Sequence, residues 1–141
     1  MTDERIAQLR QGPDAWNQGD LDGVLELLEP DVGIHLSGAF PDLPTELAGH
    51  DGLRRFWQAM HDMWNPLEMQ AGEIEPVGDL LLTAIHFQGT GRDGIQVERT
   101  FFFVWQFDEE SGKVSAYSSH RDRESALEAI EAARETGGLP A

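Results

Sequence analysis

The stretch from Leu67 to His120 constrains the fold of this chain more than any other. Four runs of strand-like composition, Leu67–Val77, Leu80–Gly89, Gln96–Phe107 and Lys113–His120, follow one another with only turns between them. The connections hold Gly78-Asp79, Gly91-Arg92-Asp93-Gly94 and Asp108 to Gly112. These are turn formers, and such short links favour hairpins over crossover helices. An antiparallel sheet is therefore expected. In the third run one parity gives Arg99, Phe101, Phe103, Trp105 and Phe107, and the other gives Glu98, Thr100, Phe102, Val104 and Gln106. The first, nearly all aromatic, should lie against helices. The second carries Phe102 and Val104 amid polar neighbours, which predicts an outer face hidden in a homodimer.

The first half reads as helical. Ile6, Leu9 and Trp16 mark a first helix, with Gly12-Pro13 a break or restart within it. Asp20 is placed as the N-cap of a short helix whose face is Leu21, Val24, Leu25 and Leu28, and Pro30 stops it. Val32 to Ser37 alternates as a strand, with Ile34 and Leu36 on one face and His35 on the other. Gly38 to Gly49 holds two prolines and no period, so it is expected to be a loop. From His50 to Trp64, Leu53, Phe56, Trp57, Met60, Met63 and Trp64 recur at helical spacing until Asn65-Pro66. Asp122 caps a last helix in which Ala126, Leu127, Ile130 and Ala133 are expected to pack inward, and GGLPA is its fraying tail. Helices followed by an antiparallel sheet give an α+β domain with helices on one face, here a single domain over 1–141.

Charge narrows the partners. Ten Lys and Arg against 26 Asp and Glu leave a net charge of −16, so no nucleic acid and no anionic membrane is expected as a partner. The absence of cysteine removes disulfides and thiolate metal sites. MTDERIAQLRQG lacks the basic start and apolar run of a signal peptide, and no apolar segment reaches transmembrane length. A cytoplasmic protein is the expectation.

Four pieces then carry a resemblance: AWNQGDLDGVLELLEPDV, GHDGLRRFW, FVWQFDEESGKV and DRESALEAI. In order and spacing the chain resembles the SnoaL-like group of the nuclear transport factor 2-like superfamily, to which ketosteroid isomerases also belong. The resemblance implies a cone, in which a strongly curved antiparallel sheet wraps around the N-terminal helices with a pocket at its open end. It also implies a small, mostly apolar ligand and dimerisation through the outer sheet face. It does not imply one reaction, because the fold hosts isomerases, cyclases, dehydratases, epoxide hydrolases and binders.

The family's chemistries can be tested position by position. Alignment on GDLDG puts the isomerase base at Leu36, the oxyanion-hole tyrosine near Gly12 and its second acid at Phe103, so all three groups are missing. A cyclase-type pocket acid would have to be Asp42, Glu46 or Glu98. An epoxide hydrolase would find its cation in Arg99, but Ser119 stands where an Asp is needed. The resemblance points Tyr117, Ser119 and Arg121 inward, and Thr83 shares an inward face with Leu81 and Ile85. Arg99, at the end of the aromatic row, either orients a carboxylate or enolate or forms a salt bridge with Glu98, Glu73 or a helix acid. Tyr117 is either a pocket residue or a core aromatic. His35 neighbours the base position, and one residue of slip would turn it into the cone. The other histidines read as surface or outer-face residues.

The candidate catalytic groups are thus His35, Tyr117 and Arg99. The candidate pocket wall is Trp16, Leu36, Trp57, Met60, Thr83 and Ile85, together with Phe101, Phe103, Trp105 and Ser119. For Trp57 and Met60, on an apolar stripe at helical spacing, a core role is the more usual reading. No metal and no cofactor is expected. The functional expectation is a binder of a small apolar or aromatic molecule. The alternatives are a lyase, isomerase or cyclase acting on a hydrophobic or polyketide-like substrate, and a protein-interaction module.

Overall fold

The computed structural model describes residues 2–36, 39–40 and 43–139. The chain opens with α1 (Thr2–Asn17) and α2 (Leu21–Glu26), then β1 (Leu28–His35), β2 (Glu46–Ala48) and α3 (Gly49–Met63). The strands β3 (Leu67–Val77), β4 (Leu80–Thr90), β5 (Gln96–Phe107) and β6 (Val114–His120) follow, and α4 (Arg123–Thr136) closes the fold. All six strands form one sheet in the order β2-β1-β6-β5-β4-β3. The four expected strands occur with their hairpin pairings, and the sheet curves around the N-terminal helices as the expected α+β cone. One pair departs from it: β1 runs parallel to β6.

The α1 helix runs unbroken through Pro13. Proline removes one backbone donor, but Leu9 and Trp16 on either side are both buried in the core, and their packing holds the helix together. As expected, Asp20 and Asp122 cap α2 and α4, accepting from the backbone N–H of Gly23 and Ser125 at 3.0 and 2.8 Å.

Two expectations about the first strand need correction. The short helix ends at Glu26, and Leu28 and Pro30 already belong to β1. Pro30 is tolerated there because regular pairing with β6 is interrupted between Leu28 and Gly33, so no ladder hydrogen bond is lost. The region expected to be a loop contains the edge strand β2, three residues long and too short to show a period. Ser37 at the end of the expected first strand, the candidate acid Asp42 and the end of the GGLPA tail lie outside the described residues.

The aromatic parity of β5 faces inward as expected: Phe101, Phe103 and Phe107 join Trp16, Phe56 and Met60 in the main core. The outer parity gives a different result. Val104 is fully buried within the single chain, packed with Leu82 and Ala116 against Ala126, Ile130 and Ala133 of α4. The last helix therefore covers the outer face instead of packing inward, and Leu127 is exposed. Of the residues that predicted a dimer interface, Val104 is covered by its own chain and Phe102 is only partly buried at the edge of the same cluster.

Candidate functional site

Two cavities lie on the inner face. The larger, of about 490 Å³, opens at the end of the cone where β4 finishes and β5 begins. Met60, Met63 and Trp64 reach it from the last turns of α3, and Phe40 and Leu43 from the segment after β1. Phe87 and Phe101 form its sheet wall and meet edge to face with ring centres 5.2 Å apart. Phe40 closes on Phe101 at 4.8 Å. Gly89 admits Trp64: a Cβ there would lie 3.1 Å from the tryptophan's own Cβ and Cγ, so only glycine lets the indole rest on β4.

Its polar groups are cationic. Arg99 on β5 and Arg121 just beyond β6 both line the cavity, both exposed to solvent. Among its described lining residues there is no carboxylate and no imidazole. Arg99 makes no salt bridge with a described residue. Its sequence neighbour Glu98 is engaged on the other face, accepting from Gln88 Nε2 at 2.6 Å.

The smaller chamber, of about 80 Å³, lies deeper, between α1, α3 and the middle of the sheet. Trp16, Ile85, Phe103, Trp105 and Tyr117 line it, and so does Gly12. Burial pushes the Tyr117 hydroxyl far above the ordinary phenol range, so it is a neutral donor. Trp105 lies tilted against Tyr117 with ring centres 4.8 Å apart and donates its Nε1–H to Thr83 Oγ1 at 2.9 Å. Trp16 Nε1 and Ser119 Oγ are buried with no hydrogen-bond partner among the described residues.

The residues expected to form one site are thus divided. Arg99, Met60 and Phe101 line the mouth cavity, whereas Trp16, Ile85, Phe103, Trp105 and Tyr117 line the inner chamber. Leu36, Trp57, Thr83 and Ser119 line neither. Trp57 packs on Trp16 at 4.6 Å and stacks with His61 at 4.3 Å, its half-buried surface spent on other aromatics. The slip that would turn His35 into the cone does not occur. Ile34 takes the inward position opposite Tyr117, and His35 lies on the opposite face, 3.6 Å from Glu46. His120, expected at an interface or in solvent, is buried beneath α4, where its ring nitrogens lie 2.8 and 2.9 Å from the hydroxyls of Ser118 and Ser125.

Sequence reasoning did not include Trp64, Met63 or Phe87 in the site. Trp64 sits four residues after Met60 on the same helical stripe, so the signal that found one was available for the other. Phe40 follows an aperiodic stretch in which no pattern distinguishes a wall residue.

The positions aligned with the isomerase groups remain apolar in space. Gly12 and Phe103 line the inner chamber and Leu36 is buried in the core. No helix is long and apolar enough to cross a membrane, among the described residues.

A family model described as a SnoaL-like domain matches residues 9–117. Among solved structures, the chain resembles an NTF2-like protein of unknown function from Burkholderia pseudomallei, with 24% identity and TM-score 0.73, covering 88% of this chain and 95% of that one. It also resembles TerC co-crystallised with polyporic acid, with 19% identity, TM-score 0.74 and coverage of 90% and 98%. A third similar structure is SalBIII, an epoxide hydrolase/cyclase-like enzyme in pyran ring formation in the polyether salinomycin, with 14% identity, TM-score 0.72 and coverage of 87% and 94%. At these identities the likeness is one of fold. A search of curated proteins found no match.

Proposed function

The chain belongs to the SnoaL-like domain family, and from that premise we propose that it binds a small, predominantly apolar molecule in the mouth cavity of its cone. The observation that carries this reading is the cavity itself: about 490 Å³ walled by Phe40, Met60, Trp64, Phe87 and Phe101. That volume lies within the range of pockets for drug-sized ligands, which are typically apolar with a few placed polar groups. The polyporic acid co-crystallised with TerC is a small molecule held by a protein of this fold, and supports the same use here. The acidic, cysteine-free composition supports placing that binding in the cytoplasm.

A second reading, a lyase or cyclase acting on a hydrophobic or polyketide-like substrate, is favoured by one observation. Two guanidiniums at the rim offer fixed positive charge to a developing enolate. The binding reading takes precedence because the described lining offers no acid–base pair to go with them.

A homodimer would have to use the part of the outer face that α4 leaves open. There Gln88 pairs with Glu98 and His86 with Thr100, a polar ladder and not an apolar patch.

The test is titration with a hydrophobic fluorescent probe, comparing the wild type with Val97→Trp. Val97 is a half-buried lining residue, so a large side chain there fills the cavity without entering the core. Saturable binding that the substitution abolishes, with an unchanged melting temperature, supports the reading. Binding unaffected by the filled cavity would place the probe elsewhere and defeat it.

A further inference from the structure

We propose that the inner chamber is a second binding site for a small neutral group presenting a carbonyl or ether oxygen, and that the Tyr117 hydroxyl donates to that oxygen. This site is independent of the reading of the mouth cavity.

The chamber and the mouth cavity share no lining residue. Each inward row of the sheet is divided between them. On β4 the mouth takes Phe87 and the chamber Ile85. On β5 the mouth takes Arg99 and Phe101, and the chamber Phe103 and Trp105. From the other side, α1 and α2 reach the chamber through Gly12 and Val24.

The chemistry of its wall is narrow. None of the described lining residues carries a charge, and only Trp16, Trp105 and Tyr117 have a side-chain N–H or O–H group. The Trp105 N–H is engaged by Thr83 Oγ1, and that of Trp16 has no partner among the described residues. Tyr117 is 3% exposed, and its hydroxyl has no hydrogen-bond partner among the described residues either. An indole can only donate, and burial keeps the phenol protonated, so the wall lacks an acceptor. A charged occupant would be desolvated there with no counter-charge, which leaves a neutral acceptor.

Size and surroundings define the rest of the occupant. Some 80 Å³ is room for a small molecule or for the end of a larger one. Water fits the volume but not the wall, because buried waters typically make about three hydrogen bonds and these side chains supply fewer. Leu9, Leu53, Phe56 and Ile85 instead cover a short apolar body behind the oxygen.

Tyr117 is the only tyrosine in the chain, so isotope-labelled tyrosine gives a single NMR reporter beside the hydroxyl. The probes are acetone and isobutene, which carries a methylene in place of the carbonyl oxygen. Acetone should shift the Tyr117 signal saturably, and Val97→Trp, which fills the mouth cavity, should leave that titration unchanged. Tyr117→Phe strands no partner and should melt like the wild type. Followed there through the Trp105 indole signal, acetone should bind roughly fivefold more weakly, with no loss for isobutene. Gly12→Leu should abolish binding of both probes. A Cβ at Gly12 would meet only Leu27 Cδ1, at 3.7 Å, so a side chain there can enter the chamber. The proposal is overturned if acetone leaves the Tyr117 signal in place, if Val97→Trp abolishes the titration, or if Tyr117→Phe affects both probes alike. None of these outcomes touches binding in the mouth cavity, which the fluorescent probe reads separately.

Discussion

Trp16 and Trp105 are both set against the inner chamber, yet their indole N–H groups have opposite fates. Trp105 donates to Thr83 Oγ1, whose residue is only 2% exposed, whereas Trp16 has no partner among the described residues. A buried donor and acceptor that satisfy each other contribute modestly, but removing either strands the other in an apolar setting. Trp105→Phe should therefore cost about 1–3 kcal/mol of stability, most of it from the orphaned threonine hydroxyl. Thr83→Val should cost a similar amount by orphaning the indole. Their combination should cost less than the sum, measured as a double-mutant cycle by chemical denaturation. Additive losses would mean that the two groups do not depend on each other.

Among the elements, α4 has the least expected position. Its small face of Ala126, Ile130 and Ala133 lies on the outer sheet, and its first turn is tied to β6 through His120, between Ser118 and Ser125. Burial lowers the His120 pKa, and the carboxylate of Asp122 opposes this in part. The neighbouring outer positions are His35 with Glu46 on the β1–β2 side and the Arg123–Glu75 pair on the β3 side. Because the folded chain prefers the neutral ring, the unfolded chain takes up the proton first. This contribution is then complete above the unfolded value of about 6.5 and is lost as pH falls below it toward the lowered folded value. Thermal melts between neutral and mildly acidic pH should show that loss, and His120→Asn should flatten the slope in that window. An unchanged slope would put the acid sensitivity elsewhere.

In the whole molecule, the same helix decides what the sheet presents to partners. Val104 has no exposed surface, because Ala126, Ile130 and Ala133 of α4 pack over it. Val104→Asp should therefore act as a folding defect and not as a dissociating change. Burying an unpaired carboxylate there should cost more than about 4 kcal/mol and lower the melting temperature independently of protein concentration. A variant with wild-type melting and an altered mass in solution would show that the outer face is an interface after all.

The sequence by itself determined the strands β3 to β6, their hairpin order, the inward aromatic row of β5 and the capped starts of α2 and α4. All of these depend on interactions between residues close in the chain. Period-two alternation, turn glycines and an Asp three residues before the backbone N–H that it accepts from need no distant partner to be read. What only the tertiary structure decided involves elements far apart in sequence. Which face α4 covers, the parallel pairing of β1 with β6, and the separation of one expected pocket into a mouth and an inner chamber are of this kind. Residue type cannot reveal them. The apolar stripe of α4 fits either face of a sheet that is apolar on both, and Phe101 and Phe103 share one parity but face different cavities. Arg99 and Arg121 lie 22 positions apart, and the β5–β6 register brings them to the same rim.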